Sequence, residues 1–62
     1  MTRYYKTFKF CATEHEATAF VAAYNAGLTG YAAKHKRGTV TAWKSSDGTE
    51  RAWLAWYYYK TC

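Results

Sequence analysis

Cys11, His15, His35 and Cys62 are the residue types that hold zinc, and Cys11 with His15 has a spacing suited to a strand–helix junction. The elements argue against the full set. Cys62 closes the last strand at the opposite end of the sheet from Cys11, and His35 precedes the second strand. The four would have to converge from both ends. No metal site is expected, and no cofactor. The same separation argues against an internal disulfide, which needs Cα atoms within about 7 Å. Two free thiols remain, and Cys62 at an exposed end could join two copies on oxidation.

Glu14, His15 and Glu16 could suggest acid–base chemistry, but both glutamates are explained by the positive end of a helix. His15 on that first turn is better placed to meet water than to act as a general base. Gly27 and Gly30 lack the pattern of a phosphate loop and a following Lys-Ser/Thr. A chain of 62 residues also struggles to enclose a substrate pocket. The expectation is a protein without enzymatic activity.

The residues that could recognise something are aromatic and basic. Trp53, Trp56, Tyr57, Tyr58 and Tyr59 fall within seven residues. A strand sends successive side chains to opposite faces, so these rings cannot all enter one core. Nine Lys and Arg against four acids give a net charge of +5, which favours a polyanionic partner or keeps the protein dispersed. The run Lys34-His35-Lys36-Arg37 reads either as a phosphate-binding loop or as a solvated connection.

The elements that must position these residues follow from periodicity. "RYYKTFKFC", residues 3–11, alternates and is rich in strand-forming types. Thr13 with Glu16 forms a capping box, after which Ala17, Phe20, Val21, Tyr24 and Leu28 recur at helical spacing. Asn25 and Gly27 predict a stop, with Gly27 left-handed and Leu28 folding back on the helix. Tyr31 and His35 continue the stripe, so a second short helix over about 29–35 stays open. The stretch 38–59 reads as a hairpin around Ser45-Ser46-Asp47-Gly48, with Gly48 left-handed in a three-residue loop. That loop sets Ser45 opposite Thr49, Lys44 opposite Glu50, Trp43 opposite Arg51, Ala42 opposite Ala52, Thr41 opposite Trp53 and Val40 opposite Leu54.

The expected fold is a single small α+β domain, residues 1–62, of order β-α-β-β. Its three-stranded sheet has order 1-3-2, with one helix packed on one face. The helix would cover Tyr4, Phe8, Phe10, Val40, Ala42, Leu54, Trp56 and Tyr58. The other face would expose Tyr5, Thr7, Lys9, Thr41, Trp43, Arg51, Trp53, Tyr57 and Tyr59. Two readings of such a face stand together. Bases could stack on Tyr5, Trp43, Trp53, Tyr57 and Tyr59 while Lys9, Arg51, Lys34, Lys36 and Arg37 meet phosphates, with DNA favoured over RNA. Alternatively, two copies could bury the rings against each other, or the face could bind an acidic protein surface.

The segments "FKFCATEHEATAFVAAYNAGLTGY" and "TAWKSSDGTERAWLAWYYY" resemble short proteins of bacterial mobile genetic elements across nearly the whole chain. The resemblance implies a phage or conjugative-element accessory protein, a type that binds DNA or inhibits a host defence protein. It brings no site residue with it. No secretory signal or membrane span is read in the sequence, and Met1 runs almost directly into a structured pattern, so a complete cytoplasmic protein without a membrane partner is expected.

Overall fold

A computed structural model describes residues 3–61. Cys62 lies outside them, and with it the expectations placed on its thiol. The order is β1 (Arg3–Cys11), α1 (Glu14–Ala26), α2 (Gly30–His35), β2 (Thr39–Lys44) and β3 (Arg51–Thr61). The three strands form one sheet in the order β1-β3-β2, with β3 antiparallel to both neighbours. The α+β class, the strand order and the helix on one face are as the sequence predicts. None of the described helices is long and apolar enough to cross a membrane.

The start of α1 follows its capping box. Thr13 Oγ1 accepts from the Glu16 N–H at 3.1 Å, and Glu16 reaches back to accept from the Ala12 N–H at 3.3 Å. Its end departs from expectation. Gly27 has φ −87°, right-handed, and the left-handed residue is Gly30 at φ 59°. Gly30 opens α2, so the stretch left open in the sequence is a second short helix after a break.

The helix packs on the sheet through small residues. Cys11, Ala17, Val21 and Ala55 form the buried core, with Ala17 and Ala55 fully shielded, and Phe20, Val40 and Trp53 pack around it. Gly38 allows the closest approach: a Cβ there would lie 2.6 Å from the Trp56 carbonyl oxygen.

At the end of β3 the sheet narrows. β2 pairs only with residues 51–56, which leaves 57–61 without a strand on that side. The Tyr24 hydroxyl fills part of the gap, donating to the Tyr58 carbonyl at 2.7 Å and accepting from the Tyr58 N–H at 3.3 Å. A helix side chain thus stands in for the missing strand.

The hairpin corrects the expected register by one residue. Lys44 faces Arg51, Trp43 faces Ala52, Ala42 faces Trp53, Thr41 faces Leu54 and Val40 faces Ala55. The cause lies in the turn. Gly48, left-handed as expected, donates its N–H to the Ser45 carbonyl at 3.0 Å. The Glu50 N–H turns instead to Ser45 Oγ, while Asp47 Oδ1 accepts from the Ser45 hydroxyl and from the Thr49 N–H and hydroxyl. Thr49 is thereby drawn into the loop. Ser45 pairs with Glu50, its N–H donating to the Glu50 carbonyl at 3.0 Å.

Candidate nucleic-acid interface

A one-residue slip in register exchanges the faces of a strand. Trp53, Ala55 and Tyr57 face the helix, with Tyr57 in ring contact with both Phe20 and Tyr24. In β1 the helix side takes Cys11 and Lys9, whose ammonium lies 5.1 Å from the Phe20 ring centre. The expected faces of β1 and β3 are therefore reversed, while those of β2 hold. The helix seats on the small residues Cys11 and Ala55, which turns their sequence neighbours Phe10, Leu54 and Trp56 to the other face.

Of the expected site residues, Trp43 is on the open face. Lys9, Trp53 and Tyr57 lie instead on the helix side of the sheet, Trp53 and Tyr57 half-buried and Lys9 exposed with its ammonium over the Phe20 ring. Tyr5 and Tyr59 share that side of the sheet but remain 43% and 47% exposed, stacked on each other at 5.5 Å. Arg51 faces Lys44 at the hairpin tip, away from the open face. The basic run is not one loop. Lys34 lies in α2, Lys36 caps its C-terminus, and Arg37 borders a groove with Thr18, Ala22 and Val40 on the helix side.

The open face is built from Tyr4, Lys6, Phe8 and Phe10 of β1, Thr41 and Trp43 of β2, and Leu54, Trp56 and Tyr58 of β3. Its rings interlock. Phe8 meets Trp56 at 5.0 Å and Phe10 edge-on at 5.3 Å, and Phe10 meets Trp43 edge-on at 5.4 Å. Trp56 Nε1–H donates to Thr41 Oγ1 at 2.8 Å, which fixes the indole against β2. Leu54 is only 8% exposed although no helix lies over it, so its neighbours' side chains bury it. Phe8 and Phe10 stay 42% and 56% exposed.

Cations gather at one end of this face. Lys6 Nζ lies 5.2 Å from the Trp56 ring and 5.9 Å from Tyr58. Lys36 Nζ lies 5.0 Å from Tyr58, 5.6 Å from Tyr4 and 5.9 Å from Tyr31. The strands and α2 contain no carboxylate. All four acids sit at the start of α1 or in the hairpin loop. A surface of aromatic rings bordered by ammonium groups can stack flat apolar groups and attract anions.

Reading β1 by its ring content placed Tyr4, Phe8 and Phe10 in the core, and so missed Lys6, Phe8, Phe10, Trp56 and Tyr58 as surface. One signal was present: Ala55, a small residue inside an aromatic strand, marks where a helix comes close. His15 and His35 do not meet in a ligand set, and His35 packs on Tyr31 at 4.6 Å. Among the described residues no group of three His, Cys, Asp or Glu could hold a metal. Comparison with protein-family models, with curated proteins and with solved structures gives no match for this chain.

Proposed function

We propose that this is a small nucleic-acid-binding protein, in keeping with a mobile-element accessory role, and that the open sheet face is its recognition surface. The observation that carries the reading is the juxtaposition of exposed Phe8 and Phe10 with Lys6 and Lys36 on one face whose strands hold no carboxylate. Bases would stack on Phe8, Phe10 and Trp43, each contributing about 1–3 kcal/mol, while Lys6 and Lys36 meet phosphates. An unpaired strand or a locally opened duplex suits such a face best, because stacking needs free base faces.

The experiment is fluorescence anisotropy of labelled single-stranded DNA, duplex DNA and RNA at low and near-physiological salt. Binding that survives the higher salt and weakens in Phe10→Ala supports the reading. Binding that disappears with salt and ignores Phe10→Ala overturns it.

A second reading draws on one observation. Away from Lys6, which lies over Trp56, the part of the open face formed by Phe8, Phe10, Leu54 and Trp43 is uncharged and suits a second apolar surface placed on it. A protein partner, a second copy or a host protein, would then cover the rings. Trp43 and Trp56 fluorescence distinguishes the two: protein dilution alone shifts it under the second reading, and added nucleic acid under the first.

A further inference from the structure

We propose that the outer edge of β1 pairs with the same edge of a second copy, joining two sheets into one of six strands. The argument begins at Tyr58, whose N–H and C=O both meet Tyr24 on the β2 side of β3. Backbone groups alternate in direction along a strand, so the odd residues of β3 bond toward β1. Their partners in β1 are the odd residues, Tyr5 with Tyr59, Thr7 with Tyr57 and Lys9 with Ala55. The N–H and C=O groups of Tyr4, Lys6, Phe8 and Phe10 therefore point outward from the sheet.

This edge is long and regular. Nine residues run in unbroken register from Arg3 to Cys11, with no bulge and no proline, whereas the opposite edge, β2, has six. Such an edge is a template for another strand. Antiparallel pairing about a two-fold axis keeps each face on its own side, so the numbers of paired residues must add to an even sum. A register centred on Lys6 sets Lys6 against itself and Arg3 against Lys9. The register centred on Thr7 uses the whole strand and has no like-charge pair. It sets Lys6 against Phe8, Lys9 against Tyr5, Tyr4 against Phe10, and Thr7 against Thr7. Both lysines then oppose aromatic rings, so in this register the strand complements a second copy of itself through cation–π pairs.

The pairing leaves both open faces free and on the same side of the joined sheet. It goes beyond nucleic-acid binding and stands or falls without it.

The test uses the whole protein without nucleic acid: sedimentation equilibrium together with amide hydrogen exchange at low and high concentration. The expected result is a dimer in which the Tyr4, Lys6, Phe8 and Phe10 amides slow by about tenfold or more as concentration rises. Lys6→Pro, which removes one outward N–H at an edge where proline is tolerated, should weaken the dimer by about tenfold or more. Lys6→Ala, which keeps the N–H, should remain dimeric. A monomer at every concentration, with these four amides exchanging freely, overturns the proposal. A dimer in which they still exchange freely overturns it too, and moves the contact to the open face. The exchange measurement on the unmodified chain decides the matter even if Lys6→Pro fails to fold.

Discussion

The Asn25 side chain is joined to the Gly38 backbone by two hydrogen bonds. The Gly38 N–H donates to Oδ1 at 2.7 Å, and Nδ2–H donates to the Gly38 carbonyl at 3.4 Å. The pair ties the last turn of α1 to the entry of β2, at the point where the Trp56 carbonyl passes closest. Asn25→Ala should destabilise the fold by about 1–3 kcal/mol, because a partly buried amide group loses its partner. Gly38→Ala should cost at least about 1–3 kcal/mol, since its Cβ has no room beside that carbonyl. Urea midpoints at unchanged slope check both.

Tyr24→Phe removes the hydroxyl that bridges both backbone groups of Tyr58. The expected loss is about 1–2 kcal/mol, with faster exchange confined to the Tyr58 amide and its neighbours. Uniform acceleration along β3 would instead mean that the ring, and not its hydroxyl, holds that edge.

The hairpin loop has its own pH dependence. Hydrogen bonds from Ser45, and from the Thr49 backbone and hydroxyl, hold the exposed Asp47 carboxyl down at about 2. A depressed folded value means that the carboxylate's contribution is complete above its ordinary unfolded value near 3.9 and is lost as pH falls through about 2. Wild type should therefore exceed Asp47→Asn in stability by a constant margin from about pH 5 to 8. That margin should shrink below about pH 4 and close near pH 2. Denaturant midpoints across that range test it, and a margin unchanged at pH 2 would show that the charge is not what the loop uses.

For binding, the two faces give opposite expectations. Phe10→Ala and Trp43→Ala should weaken nucleic-acid affinity by about 1–3 kcal/mol each at every salt concentration. Lys6→Ala and Lys36→Ala should each reduce the salt slope on a single strand by about 0.7. Trp53→Ala should chiefly lower stability, by roughly 2–3 kcal/mol, because its ring packs beneath the helix. If Trp53→Ala abolished binding while the fold held, the recognition surface would be on the wrong face here.

Much of the architecture was legible because local chemistry agreed with it. Thr13 and Glu16 marked the start of α1, alternation marked β1, and Gly48 marked the turn. The faces were not legible for two separate reasons. In β1, the usual rule that large apolar side chains go inward pointed at Phe8 and Phe10, but the helix needed Cys11 and the small Ala55. In the hairpin, the register turned on whether Thr49 belonged to the strand or the loop. Its capture by the Asp47 carboxylate is a side-chain contact that turn composition does not encode. The lysines followed the strands. Lys6 came to the open face with Phe8, and Lys9 to the helix side, over the Phe20 ring.

Arg3 lies opposite Thr61, so the first and last described strands are neighbours through their whole length. On a ribosome, β2 and β3 can zip together as a local hairpin, but β1 has no strand partner until β3 emerges, its end at Cys11 meeting Trp53 first and its start at Arg3 meeting Thr61 last. Its aromatic residues wait through the synthesis of everything between. Closing the sheet is therefore the long-range step of folding, and loss of even a few residues before Thr61 would leave the start of β1 with nothing to pair against.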